Sequence, residues 1–480
     1  MLVVEINRAN FEYDVHSIVK AFYAEEQVTV LTPQTGEDKR AKLTENVAIA
    51  IELKDDGAAV KIAQDEYEWE WNREEVYKDG FKRFLYRTLC QVTGKTLPWG
   101  NLTGIRPTKI AYGMLEEGKT QQEILDFYEK EHYVSREKAK LSIDIAERER
   151  KLLANVHYRN GYSLYIGIPF CPTTCLYCSF TSYPIAGYRK MVDSYVDAVI
   201  REMEYVSEAF KDKILDSVYI GGGTPTTLEA EQLDRLIGSL KSLFDFSTVQ
   251  EFTVEAGRAD SITEEKLKVL HCHGVSRISV NPQTMKQETL DAIGRKASVE
   301  QVLAAYKLAR EVGFDNINMD LILGLPGELE ADVQNTIDKV VELSPDSLTV
   351  HSLAIKRAAK LNQWIQENGV SMLHNTDETM RIAAEGAGRL GMNPYYLYRQ
   401  KNMSGNFENV GYARPGKLGL YNILIMEEKQ TIVALGAGSI TKRVFPDGRI
   451  ERCDNVKDVG LYIDKIEEMI QRKQQLFSEE

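Results

Sequence analysis

An α/β fold organised on an incomplete (β/α)6 barrel, with an N-terminal α+β unit before it and a C-terminal α+β extension after it, is what the sequence predicts. Three observations carry that expectation. Between Leu164 and Leu353, apolar runs of strand length alternate with amphipathic stretches of helical period. Such alternation builds parallel strands joined by helical crossovers. Three cysteines fall between Cys171 and Cys178, directly after the first of these strands, and a glycine run follows the second. Parallel α/β sheets place chemistry at the carboxyl ends of their strands, so both features lie on the edge where a site is expected.

Taken in chain order, residues 1–95 read as a small α+β domain of unassigned role. Strands are expected at 28–31, 47–51 and 59–62, with Asp55-Asp56-Gly57 as turn chemistry, and a helix over 72–92. Residues 96–155 open on Leu97-Pro98-Trp99-Gly100 and continue as charged helices, a helical connector. The barrel covers 156–370, with strands at 164–168, 216–220, 251–256, 276–280, 317–323 and 347–353. Helices between them are expected at 188–210, 228–244, 299–312 and 331–343. Six units fall short of the eight that close a full barrel, which leaves one side open and suits a bulky substrate. Residues 371–480 form a last α+β domain, expected to cover that opening.

Bulk properties exclude several classes. With 43% hydrophobic and 27% charged residues, the chain has the composition of an ordinary globular protein. It carries no uncharged apolar run long enough for a membrane span, and its N-terminal residues lack the pattern of a signal peptide. A cytoplasmic location is the resulting expectation. A formal charge of -13 argues against general nucleic-acid binding. Six cysteines in 480 residues do not make a disulfide scaffold.

The cysteine segment runs Tyr165-Ile166-Gly167-Ile168-Pro169-Phe170-Cys171-Pro172-Thr173-Thr174-Cys175-Leu176-Tyr177-Cys178. Its spacing is Cys-x-x-x-Cys-x-x-Cys. Three thiolates can ligate three irons of a [4Fe-4S] cube and leave the fourth iron open. The amino and carboxylate groups of S-adenosyl-L-methionine (SAM) suit such an iron. An electron passed through the cluster would cleave the adjacent sulfonium bond and give a 5′-deoxyadenosyl radical. A zinc site would show a fourth Cys or His at compact spacing, and none follows. Cys90, Cys272 and Cys453 are isolated and read as structural.

Gly221-Gly222-Gly223-Thr224-Pro225-Thr226 follows the second strand. Alone it is an ordinary tight turn. On this edge it lets the backbone approach a ligand and offers N–H and C=O groups to SAM. Glu255, Gln283, Arg295 and Asp320 recur at or near the same strand ends. A charge in an apolar strand is costly unless paired or used. The carboxylates suit SAM's ribose hydroxyls or ammonium, and Arg295 its carboxylate.

Together these stretches, with Thr253-Val254-Glu255-Ala256 and Asp320-Leu321-Ile322-Leu323-Gly324-Leu325-Pro326, resemble the oxygen-independent coproporphyrinogen III oxidase family of HemN-like radical SAM proteins. The resemblance covers about residues 160–445 and is nearest to the HemZ-type branch through Tyr395–Ala413 and the extra N-terminal unit. It implies that Cys171, Cys175 and Cys178 bind the cluster. It also implies that Tyr165, Tyr177, Gly222, Gly223, Thr224, Glu255, Gln283, Arg295 and Asp320 contact SAM. The chain departs from the family pattern at Gly167, where a His is usual, and at Phe180, where many members carry a fourth Cys.

The implied reaction belongs to porphyrin and haem biosynthesis. It is oxidative decarboxylation of coproporphyrinogen III propionates to vinyl groups, with an external electron donor that the sequence does not identify. A tetra-anionic tetrapyrrole needs cations, and Arg399, Lys401, Arg414 and Lys417 stand close together in the chain against one acid, Glu408. They are the expected propionate pocket. Two alternatives remain open: a haem chaperone of the same family, and a radical SAM tetrapyrrole methyltransferase or ring-opening enzyme. Tyr421-Asn422 stands where a His-Asn pair is often linked to haem binding in the chaperones.

Overall fold

Residues 25, 181, 356–359, 370–371, 401–406 and 479–480 aside, a computed structural model describes the chain, which divides into two units. The first takes Met1–Glu147 with Leu397–Glu408, and the second Arg148–Tyr396 with Asn409–Glu480.

In the first unit, β1 (Leu2–Ile6), β2 (Val28–Leu31), β3 (Val47–Leu53), β4 (Gly57–Ile62) and β5 (Asp65–Glu70) form one sheet in the order β2-β1-β3-β4-β5. Alternate residues of β3, Ile49, Ile51 and Leu53, share a core with Val15, Ile18 and Phe22 of one helix and Phe81 and Leu85 of another. The period-two pattern thus buries one face of the sheet under two helices. β1 and β5 were not expected from sequence; the acids Asp65, Glu66, Glu68 and Glu70 of β5 mask the strand signal of its Tyr67 and Trp69. The helical stretch read as a connector over 96–155 belongs to this unit as far as Glu147. Trp99 explains why: it is 0% exposed and donates its indole N–H to Glu408 at 2.7 Å. Lys138 donates to the same carboxylate at 2.7 Å.

The second unit opens with β6 (Gly161–Ile168), after which β7 (Phe170–Cys171) and β8 (Tyr183–Pro184) pair with each other alone. Then come β9 (Ile214–Gly222), β10 (Glu251–Gly257), β11 (Arg277–Val280), β12 (Ile317–Leu323) and β13 (Ser347–Ser352). Omitting the β7–β8 pair, these six strands lie side by side in chain order, each parallel to the next. Helices Val192–Ala209, Ala230–Leu243, Val299–Val312 and Glu330–Leu343 match the expected crossovers. Burial of nearly every residue of β6 is what a parallel sheet covered on both faces requires.

β14 (Asn393–Tyr398), β15 (Asn409–Ala413), β16 (Thr431–Leu435), β17 (Ile440–Val444) and β18 (Ile450–Asp454) complete the strands. β15 runs antiparallel to β13, and β16 pairs in parallel with β6 on the other side. The sheet of 11 strands stays open, a partial barrel. Residues 371–480, expected as a C-terminal covering domain, supply these last five strands. That segment continues the barrel's own sheet at both edges, because β15 and β16 find unpaired strand edges there. Among the described residues no helix is long and apolar enough to cross a membrane.

Candidate active site

The three cysteines leave β6 on a loop held by backbone hydrogen bonds. Thr224 N–H donates to Phe170 O at 2.7 Å, Gly223 N–H to Ile168 O at 2.8 Å, and Leu176 N–H to Ile293 O at 2.9 Å. Gly223 has to be glycine: a Cβ there would lie 2.5 Å from Phe170 O and 3.0 Å from Cys171 Sγ. Gly222 adopts φ +108°, which a side chain would strain. The glycine run therefore brings the end of β9 against the cysteine loop.

Each thiol has a polar neighbour. Thr224 Oγ1 lies 3.5 Å from Cys171 Sγ, Ser182 Oγ 3.9 Å from Cys178 Sγ, and Arg258 Nη1 3.7 Å from Cys175 Sγ. Burial pushes the Cys171 thiol up, with Thr224 opposing. Among the described residues no three His, Cys, Asp or Glu side chains gather closely enough for a single metal ion.

Tyr177 and Arg295 meet, with Arg295 Nη2 3.3 Å from the Tyr177 hydroxyl and Nη1 2.6 Å from Asn281 O. Burial works against the charge on Arg295, but Tyr177 and Cys175 beside it hold the guanidinium above its usual range. Gln283 adopts φ +68°, rare outside glycine. It is fixed there by donating its N–H to Asp320 O at 2.9 Å and accepting from Ile322 N–H at 3.0 Å. Gln283 Oε1 and Arg295 Nε are both buried without a partner.

Asp320 accepts from Asn318 Nδ2 at 2.7 Å and lies 3.9 Å from His351 Nε2. Burial pushes its carboxyl up, yet His351 and Asn318 hold it below its ordinary value. Glu255 is different. It accepts a 2.5 Å hydrogen bond from Tyr219, and burial pushes its carboxyl up to about 7, with Tyr219 opposing and Asp320 adding to the rise. Tyr165, Tyr219 and Tyr421 stack beside it, with ring centroids 4.4 Å apart for Tyr219 and Tyr421. Tyr421 reaches that stack from the helix Leu420–Glu427, whose first backbone N–H groups are turned to Glu251.

The structure thus gathers the sequence-predicted residues at one end of the parallel strands, with the exception of the basic segment. Arg399 lies in the first unit, donates to Leu102 O at 2.6 Å and covers the Trp99 ring. Burial pulls its pKa down to about 10. Arg414 and Lys417 lie in the second unit, at the opposite end of the strands. Arg414 donates to Ser344 Oγ at 2.6 Å and Leu390 O at 3.0 Å, and Lys417 pairs with Asp315 at 3.1 Å. Lys401 lies outside the described residues. For Arg414 and Lys417 the expected propionate pocket is therefore corrected: they sit where β12 and β13 begin, away from the strand ends that carry the cysteines, and each is already paired. Sequence reading missed Arg258, Tyr219 and His351, and it noted Tyr421 only as a departure from a His-Asn pair. Arg258 and Tyr219 did stand beside residues already singled out, Glu255 and Gly221.

Residues 165–340 match the Radical SAM superfamily. The oxygen-independent coproporphyrinogen-III oxidase-like protein HemZ of Bacillus subtilis (strain 168) is 39% identical over 441 residues, 89% of this chain and 87% of that protein. The chain belongs to the HemN-like family of radical SAM proteins, together with HemZ. A second family member, the heme chaperone HemW of Lactococcus lactis subsp. lactis (strain IL1403), is 31% identical over 278 residues, 58% of this chain and 68% of that protein. The fold is shared with coproporphyrinogen III oxidase (HemN) from Escherichia coli, at a TM-score of 0.53 and 23% identity over 67% of this chain and 72% of that one. The family uses a [4Fe-4S] cluster and SAM.

The residues present fit both groups. Three thiols on one loop suit a cube with one open iron. Gln283 Oε1 is an acceptor and Arg295 Nε a donor, both unpaired and buried, and SAM carries an ammonium for the one and a carboxylate for the other.

Replacing Glu255 or Asp320 with alanine is expected to weaken SAM binding about ten- to a hundredfold, the worth of a lost charge-assisted hydrogen bond. The cluster's visible absorbance should persist. Equilibrium dialysis with labelled SAM measures this, and unchanged binding in both variants would contradict a cofactor role. Glu255 also has a pH signature in the cofactor-free protein. Its carboxyl is raised from 4.5 to about 7, so the folded state binds more protons than the unfolded state across that window. Its contribution to stability is therefore present below pH 4.5 and lost as pH rises toward 7. Thermal midpoints of Glu255→Gln should fall less over that window than those of the unsubstituted chain; parallel curves would argue against a buried, titrating Glu255.

Proposed function

We propose that the chain is a cytoplasmic oxygen-independent coproporphyrinogen oxidase, converting coproporphyrinogen III propionates to vinyl groups. Cys171, Cys175 and Cys178 hold the cluster in this reading. What carries it is the extent of the likeness to HemZ, which spans 89% of the chain and so reaches well beyond the barrel common to radical SAM proteins. When bound, the cluster and SAM supply one-electron cleavage of a sulfonium bond and, through it, removal of a hydrogen atom from an unactivated carbon.

The chain's own residues bind and orient. Gln283 Oε1 and Arg295 Nε take the ammonium and carboxylate of SAM, and Asp320 and Glu255 take its hydroxyls. Hydrogen-atom removal needs no protein base, so neither carboxylate acts as one. The stacked tyrosines pack beside Glu255, and Tyr219 donates its hydroxyl to the carboxyl, which shields that group in part from water. A low dielectric there strengthens every polar contact.

The test is an anaerobic incubation of reconstituted protein with SAM, a low-potential reductant and coproporphyrinogen III. Vinyl products and 5′-deoxyadenosine in step support the oxidase reading. A haem chaperone would bind haem and give no vinyl product, and methylated or ring-opened products would point to the third class.

A further inference from the structure

We propose that Arg258 is a positioning residue for the iron–sulfur cluster: it raises the cluster's reduction potential through Cys175 and ties the cysteine loop to the end of β10. The inference rests on Cys175 being a cluster ligand and is independent of the substrate.

Arg258 follows Gly257, the last residue of β10, and its side chain is only 4% exposed. A buried guanidinium has to satisfy its donors, and the geometry shows where they go. Asp260 accepts from Nε at 3.0 Å and from Nη2 at 2.7 Å, a two-point contact that fixes the plane of the group. Nη1 is then turned to the cysteine loop. It lies 2.9 Å from Thr173 O, 2.9 Å from Thr173 Oγ1 and 3.7 Å from Cys175 Sγ. Thr173 Oγ1 in turn donates to Gly294 O at 3.0 Å, so the loop is held both from the end of β10 and from the turn after the helix Gln287–Ala292.

The other two thiols have neutral hydroxyls as their nearest polar neighbours, Thr224 for Cys171 and Ser182 for Cys178. Cys175 alone among the three has a guanidinium N–H directed at its sulfur in these contacts. Hydrogen bonds to the sulfurs and the local net charge are what a protein uses to set a cluster's potential. A cation beside one ligand favours the reduced, more negative cluster, and burial strengthens the effect. Asp260, 16% exposed, partly offsets that charge while aiming it. The arrangement eases reduction of the cluster by a given external donor.

Redox titration followed by electron paramagnetic resonance, on fully reconstituted protein, tests the proposal. Arg258→Gln keeps amide donors for Thr173 but removes the charge. At a fixed potential its ratio of reduced to oxidised cluster should fall at least tenfold, about 59 mV for a one-electron couple. Arg258→Lys restores the charge and should recover most of that loss. Asp260→Asn removes the offsetting anion and should shift the potential upward. A merely structural role would change the amount of cluster loaded and leave the potential of the loaded fraction where it was. Unchanged potentials in Arg258→Gln and Asp260→Asn overturn the proposal. Should Arg258→Gln load no cluster, the Asp260→Asn titration decides alone, and no upward shift overturns it. Retention of an intact cluster by Cys175→Ala would instead show that the ligand assignment beneath it has failed.

Discussion

Alanine at Cys171, Cys175 or Cys178 is expected to abolish assembly of an intact [4Fe-4S] cluster, while alanine at Cys90, Cys272 or Cys453 leaves it in place. In the proposed reading each of the first three removes one iron ligand of three, and no other thiol in the chain is on the same loop to replace it. Cys453 is the sharpest control. It is buried like Cys171 and Cys175, yet it sits in β18, paired through Thr441 with β17, at a distance in the topology from the carboxyl end of β6. Cys90 lies in the first unit, near Tyr86, and burial pushes its thiol up. Iron and acid-labile sulfide counts on anaerobically reconstituted variants measure the outcome. A full complement in any one of the three loop variants, or its loss in Cys453→Ala, would refute the assignment. A buried-cysteine cavity from Cys453→Ala lowers stability without touching iron content, so melting and metal analysis separate the two causes.

The parts of this molecule legible in its sequence are those fixed by local chemistry. β6 and β9–β13 announce themselves because strand composition, turn residues and helical period all lie within a short window. The cysteine loop and glycine run are legible for the same reason: ligation and close backbone approach need particular residues at particular spacing. What was hidden depends on distance in the chain. Arg258 reaches Cys175 across 83 residues, and nothing local to either says so. β16 takes its place beside β6 by pairing Thr431 with Tyr162, a register no window contains. The basic segment shows the opposite failure. Arg399 and Arg414 are near neighbours in sequence, but the chain passes from one unit to the other between them, and each charge finds its own partners. Counting charge along a window says nothing about where the backbone carries it.

Lys473→Met is expected to be the most destabilising single substitution outside the cysteine loop. Lys473 and Glu202 are both 0% exposed and meet at 2.6 Å. Glu202 is fully engaged: it also accepts from Tyr462, from Gly436 N–H at 2.9 Å and from Asn455 Nδ2 at 2.8 Å. The network stands directly behind the start of the site. Gly436, at φ +94°, packs so closely on β6 that a Cβ would lie 2.4 Å from Gly167 O, and Tyr195 donates to that same carbonyl at 2.6 Å. Methionine fills the space of the lysine stem but leaves a carboxylate buried without its cation. The loss should be about 3–5 kcal/mol, because an uncompensated charge costs far more than the pair was worth. The double variant Glu202→Leu, Lys473→Met removes both charges and should recover a large part of that loss, although the amide and hydroxyl partners of Glu202 then go unpaired. Denaturant midpoints with unchanged slopes report these differences. If Lys473→Met costs no more than an ordinary surface change, or the double variant is worse than the sum of its parts, the pair is not what fastens the C-terminal helix to the barrel.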